Sequence, residues 1–140
     1  MPQDDKKVAE TIAILKAAAK KEPIAKFLGM KLVKLTPGYA KVTMKLKPEY
    51  QNFNGYVFGG VVAAIADQAF AYGSNSLSHP SIAVEFHINL ISAPEPNDEL
   101  TAECRVVRSG RRAGISEMTV TNQTGKLIAK ATGVTIPVRE

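Results

Sequence analysis

Tryptophan is absent from this 140-residue chain, and cysteine occurs once, at Cys104. A single thiol excludes an internal disulfide framework and any zinc site built on several cysteines. It also suits a reducing compartment. The N-terminus lacks the order of an export signal, because Asp4 and Asp5 precede any apolar run and Lys16, Lys20 and Lys21 interrupt the first one. The expected location is the cytoplasm. No apolar stretch is long enough to cross a bilayer, so no membrane partner is expected. Aromatic residues make up only 6% of the chain and are not interleaved among the lysines. The net charge of +5 therefore reads as solvated surface with some attraction for anionic ligands, and not as a nucleic-acid footprint. No His/Cys/Asp/Glu cluster has metal spacing, no Ser or Cys sits in a nucleophile elbow, and GGVVAA matches neither a dinucleotide fingerprint nor a Walker loop. No metal or cofactor is expected.

The chain does have one dominant stretch at 59–76, GGVVAAIADQAFAYGSNS. Between Val61 and Tyr72 nearly every residue is apolar, many are alanine, and none breaks a helix. Such a segment predicts a helix buried on all sides. Gly59 and Gly60 mark its start, and Gly73 with the Ser-Asn-Ser run after it predicts its stop. Asp67 sits in the middle. A carboxylate there must be hydrogen-bonded, paired or shifted in pKa. The helix alone leaves two readings open: a structural acid facing a polar pocket or subunit contact, or a catalytic acid or base.

The rest of the chain frames that helix. Residues 4–21 predict an amphipathic helix with Val8, Ile12, Leu15 and Ala19 on one face, and 23–28 a short turn of helix closed by Gly29. Strands at 31–35 and 39–47 flank Thr36-Pro37-Gly38, a type II turn signal with a few extra residues, and Leu32, Met44 and Leu46 are expected to face inward. The polar loop QNFNGYVF, 51–58, leads directly into the helix, whose first amides point outward with partial positive charge. Four β segments come next, at 81–92, 99–108, 113–122 and 126–138. The first alternates, with Ile82, Val84, Phe86, Ile88 and Leu90 on one face and Ala83, Glu85, His87, Asn89 and Ile91 on the other. This order predicts an α+β domain, an antiparallel sheet wrapped around one long buried helix. Residues 1–29 read as an N-terminal helical segment and 30–140 as the main domain.

The loop, double glycine, apolar helix, in-helix acid and four-strand tail together resemble the hotdog-fold acyl-CoA thioesterases, in particular the phenylacetate-degradation (PaaI-type) subgroup. The most specific run comprises Asn52, Gly55, Phe58, Gly59, Gly60 and Asp67, and the Asn-Gln-Thr-Gly-Lys-Leu-Ile-Ala run from Asn122 is a second shared piece. The family usually has His where this chain has Phe58, and often Ser or Thr where it has Ala83. The resemblance implies that the Gly59 amide binds the thioester carbonyl oxygen. Asp67 would activate water or attack the carbonyl, and Asn52 would orient the water or the carboxylate. Phe58, Gly60 and Ala83 would line the substrate site. Arg108, Arg111 and Arg112, in a strand connection, are either a solvated turn or a seat for the coenzyme A phosphates. Glu85 and His87 merely share a strand face, which fits a hydrogen bond or subunit contact better than an acid–base pair. His79 reads as a loop residue. The family also implies a homodimer, or a dimer of dimers, with sites at the interface. Coenzyme A would be part of the substrate, not a cofactor. Two rivals remain: a non-catalytic acyl-CoA-binding or sensing module, which Phe58 and Ala83 favour and Asp67 opposes, and a hotdog hydratase, whose usual Asp-and-His pair is missing.

Overall fold

The computed structural model describes residues 2–138. Two helices, α1 (Pro2–Ala19) and α2 (Pro23–Leu28), precede a hairpin of β1 (Met30–Thr36) and β2 (Tyr39–Lys45). A 3₁₀ turn at Pro48–Tyr50 leads to the long helix α3 (Gly59–Asn75). Then come β3 (Ser81–Leu90), β4 (Glu99–Ser109), β5 (Gly114–Thr121) and β6 (Leu127–Pro137). The six strands form one antiparallel sheet in the order β1-β2-β4-β5-β6-β3, so β1 and β3 are its edges. This is the expected α+β hotdog arrangement, with α3 lying along the sheet.

Local chemistry sets the connections. Pro37 presets the first turn dihedral and Gly38 takes φ 76°, which a side chain resists. The turn is tighter than expected: Thr36 pairs with Tyr39 and no extra residue intervenes. Gly29, also at positive φ (74°), caps α2 as its position predicts. At the far end of the sheet Asn122 accepts from the amides of Thr124 and Lys126, both at 3.0 Å, closing the tight turn at Gly125.

Burial places the core between α3 and the sheet. Phe70, Met44, Ile65, Leu100, Met118 and Ile128 are its largest fully buried side chains, and Met44 and Leu46 face inward as expected. Leu32 is half-buried against them. Leu15 of α1 and Ala25 of α2 belong to the same cluster. The N-terminal segment is also tied to α3 by polar contacts: Glu22 Oε1 accepts from Gln68 Nε2 (2.6 Å) and from the Tyr72 hydroxyl (2.8 Å). Burial, with the Glu22 bond and charge, pushes the Tyr72 phenol well above its ordinary pKa.

Three expectations are corrected. Gly73 does not end the helix, which runs to Asn75. A Cβ at Gly73 would lie 2.6 Å from Cys104 Sγ, so the glycine lets α3 press onto β4. Nor is α3 buried all round. One sheet covers one face of a helix, and Gly60, Asp67 and Ala71 remain exposed along the other. Finally, β3 does not alternate cleanly. A bulge between Ala83 and Glu85 leaves Val84 without a partner on β6. Ala83 then pairs with the buried Thr135 on the inner face, while Ile82 turns outward and is 54% exposed.

Asp98, 5% exposed, anchors the end of the sheet away from the bulge. Its carboxylate accepts from Gln123 Nε2 (2.8 Å), Asn122 Nδ2 (3.1 Å) and the Glu95 amide (3.0 Å). Burial alone would raise its pKa, but these bonds and the Lys126 charge outweigh burial and hold it below the usual value. Its contribution to stability is therefore present above the unfolded-state pKa and lost as pH falls through the depressed folded one. Asp98→Ala leaves three donors without their acceptor and is expected to destabilise the fold by about 3 kcal/mol. Urea denaturation at pH 7 measures this; a loss under about 1 kcal/mol would mean water replaces the carboxylate.

Candidate active site

The loop before α3 is organised by Asn52. Its side-chain oxygen accepts from the amides of Asn54 (3.0 Å) and Tyr56 (3.2 Å), and its own amide donates to the Tyr56 carbonyl at 2.7 Å. Gly55 takes φ 78° to close the ring. The Asn52 oxygen is thus engaged in loop structure. Val57 is buried, whereas Phe53, Tyr56 and Phe58 project outward, with Phe53 96% exposed. The Phe58 amide donates to the Tyr50 carbonyl (2.8 Å), which fixes the chain's entry into the helix.

Phe58 is the N-cap of α3 and offers no side-chain acceptor to the first turn. The Gly59 and Gly60 amides are first-turn donors that have no intrahelical partner by geometry, and they carry the positive end of the helix dipole. The Phe58 ring folds back over Gly60: a Cβ there would lie 2.5 Å from the ring edge. A side chain at position 60 would displace this exposed ring from the helix start.

Gly60, Ala63, Ala64 and Asp67 of α3 line an open cavity of about 410 Å³ together with Ala83 and Phe86 of β3. The α3 members are spaced i, i+3, i+4, i+7, one helical face. The bulge at Val84 is what turns Ala83 toward Asp67. Phe86 stacks on Phe70 at 6.2 Å between centroids. The Phe70 ring in turn occupies the place where any side chain at Gly133 would project. The apolar wall is thereby seated on the core. Three alanines and a phenyl ring surround one carboxylate. No hydrogen bond or ion pair engages Asp67 among the described residues, and desolvation by burial raises its pKa above the ordinary value although its side chain is reached by solvent.

The site residues read from sequence do not all converge. Asp67, Gly60 and Ala83 share the cavity, with Gly59 and Phe58 at its helical end. Gly59 and Asp67 lie eight residues apart on one helix, a rise of about 12 Å. One carbonyl group cannot touch both within a single chain. Arg108, Arg111 and Arg112 are exposed at the β4–β5 hairpin, where the Gly110 amide donates to the Ala113 carbonyl at 2.9 Å. The cross-strand row Ala83–Thr135–Gly114–Ser109 puts that hairpin three strand spacings, about 14 Å, from Ala83 at the same end of the sheet. His87 lines a separate cleft on the outer sheet face with Arg105, Glu117 and Lys130. His79 accompanies the end of α3, its Nδ1 2.9 Å from Asn75 Oδ1. Ala63, Ala64 and Phe86 are site residues that the sequence reading does not single out. The helical spacing from Asp67 could have found the alanines, but Phe86 reads there as ordinary core. Among the described residues there is no metal-binding cluster and no helix long and apolar enough to cross a membrane.

Residues 54–129, more than half of the chain, match the thioesterase superfamily. The chain belongs to that family. Its fold is that of the PaaI-type hotdog members. It is 31% identical over 105 residues to the acyl-coenzyme A thioesterase PaaI of Escherichia coli, covering 75% of each chain. The solved structure of E. coli PaaI superimposes with a TM-score of 0.84 at 29% identity, covering 91% of this chain and 94% of that one. A Streptococcus mutans protein solved with acetyl-CoA bound matches with a TM-score of 0.75 at 26% identity, over 79% and 90% of the two chains. The matched segment of the thioesterase family contains Phe58, Gly59, Asp67 and Ala83, and ends before most of β6.

Proposed function

We propose that this enzyme hydrolyses acyl-CoA thioesters to a carboxylic acid and free coenzyme A, with the Gly59 amide and Asp67 as its chemical groups. The observation that carries the reading is a carboxylate of raised pKa in an apolar cavity beside an uncapped helix N-terminus. Ionised Asp67 takes a proton from water as the water oxygen adds to the thioester carbonyl. The carbonyl oxygen gains the negative charge and accepts from the Gly59 N–H, a type of contact worth about 2.7–4 kcal/mol in the transition state. The C–S bond then breaks, the coenzyme A thiolate leaves and is protonated, and the acyl group departs as the acid. Direct attack by the carboxylate through a mixed anhydride uses the same groups. Asn52 holds the loop that carries Phe58 and Gly59, so its role is to position.

The 12 Å between Gly59 and Asp67 supports a site shared by two chains, the Gly59 amide of one protomer facing Asp67 of its partner. The unpaired edge of β3 and the open stripe on α3 offer the surface for such a dimer. Relatives whose names carry acyl-CoA thioesterase activity, and one neighbour solved with acetyl-CoA, support the substrate class.

Hydrolysis of a panel of aryl- and alkyl-CoAs, with free coenzyme A binding measured alongside, tests the reading. Turnover of at least one acyl-CoA is expected. Tight binding of several with hydrolysis of none would replace it by the binding-module reading, which the Phe58 ring over Gly60 favours.

The coenzyme A phosphates would meet Arg108, Arg111 and Arg112. Replacing Arg111 and Arg112 together by Ala is expected to weaken coenzyme A binding several-fold and to flatten its salt dependence, because exposed ion contacts are screened over about 8–10 Å. Unchanged affinity across a salt series would return both residues to solvent.

A further inference from the structure

A cleft larger than the one at Asp67 lies elsewhere on the molecule. It lies between α1 and the edge strand β1 and has a volume of about 580 Å³, within the range of small-molecule pockets. Four lysines, Lys16, Lys20, Lys31 and Lys34, line it, the Lys34 ammonium lying 5.7 Å over the neighbouring Tyr39 ring, and no carboxylate lines it among the described residues. Leu32 and Val33 belong to its apolar lining. A bulge between Leu32 and Lys34 leaves Val33 without a strand partner and 56% exposed.

Lysines on an edge strand by themselves discourage sheet-to-sheet pairing. That explains Lys31 and Lys34. It does not explain Lys16, in the last turn of α1, and Lys20, just beyond that helix, which line the same cleft. The negative end of the α1 dipole accounts for a cation at either position, but not for both lining one concavity with the β1 lysines. Four cations around one concavity, in a chain of net charge +5, concentrate its positive field at an apolar surface.

We propose that this cleft binds an amphipathic carboxylate, a medium- or long-chain fatty acid anion, with the chain over Leu32 and Val33 and the carboxylate among the lysines. An inorganic anion would leave the apolar lining unused, and a neutral lipid would leave the lysines unmatched. The class is also that of an acid released by acyl-CoA hydrolysis, but binding here does not depend on that reaction.

The absence of tryptophan permits a local reporter, Val33→Trp. Titrating this protein with decanoate is expected to give a saturable change in its fluorescence. Decan-1-ol, with the same chain and no charge, is expected to bind at least about tenfold more weakly, and inorganic phosphate to give no saturation at millimolar concentration. Lys16, Lys20, Lys31 and Lys34 are all exposed, so changing the four to Gln in the reporter background leaves the fold intact. It is expected to lower decanoate affinity at least about tenfold and remove its salt dependence. Equal affinity for decanol, no saturable response to decanoate, or full affinity in the four-Gln protein would overturn the proposal. Tighter binding of a short poly-glutamate peptide than of decanoate would also overturn it, in favour of strand addition along β1. Turnover of acyl-CoA by the four-Gln protein, followed separately, keeps a failure here distinct from a failure of the thioesterase reading.

Discussion

Asp67→Asn is expected to lower kcat/KM for acyl-CoA hydrolysis by about 10²–10⁴-fold, the range contributed by a positioned acid–base group. The side chain keeps its size, so the cavity of Gly60, Ala63, Ala64, Ala83 and Phe86 keeps its shape. The effect should fall mainly on kcat, with coenzyme A binding little changed. Wild-type activity should fall on the acid side as Asp67 gains a proton. Because desolvation raises its pKa, that limb should lie above the range of an ordinary aspartate. In Asp67→Asn the residual rate should lose this limb. Stability should move the other way. A carboxyl whose folded pKa is raised binds more protons folded than unfolded between the two values, so stability declines as pH rises through that window. Removing the charge should leave stability at neutral pH equal or higher. Wild-type turnover by this variant, or a large drop in its denaturation midpoint, would make Asp67 structural.

Gly59→Pro should have an effect of similar size through the N-terminus of the same helix. Gly59 is the first residue of α3, where proline keeps the helix and removes only an N–H that the helix does not use. Phe58 already has the extended backbone that a following proline requires, φ −60° and ψ 125°. The new Cβ meets only the flexible tip of Leu90, 2.9 Å away. A folded protein with kcat reduced about 10²–10³-fold is the expected result. The two variants together test the shared site. If each catalytic pair is split between protomers, mixing Asp67→Asn with Gly59→Pro regenerates one intact site per mixed dimer. At random assortment that restores about a quarter of wild-type activity. Sedimentation of the mixture should show dimers or larger assemblies. A stable, active monomer, or no recovery after subunit exchange, would refute the split site.

Much of the frame is legible from residues alone because it rests on local physics. Pro37-Gly38 and Asn122–Gly125 specify turns through dihedrals available to those residues. The start of α3 at a double glycine after a polar loop, and the inward set Met44 and Leu46, come from periodicity over a few residues. Asp67 stands out in the sequence as a lone carboxylate in an apolar helix, and the family resemblance is what adds Gly59 beside it as a candidate.

The tertiary structure decided the features that involve partners far apart in the chain. Gly73 looks like a helix stop until β4 brings Cys104 against it. Alternation puts Ala83 on one face with Glu85 and His87 until the bulge opposite Thr135 moves it beside Asp67. Apolar composition suggests a helix covered on every side, but composition does not count the layers around it, and a single sheet leaves the Asp67 face open. Glu22 finds Gln68 and Tyr72, 46 and 50 residues later, and Asp98 gathers Asn122 and Gln123. Backbone dihedrals and side-chain period act over neighbouring residues, so sequence carries them. Which surfaces meet depends on how the elements pack, and that is set by contacts no short window contains.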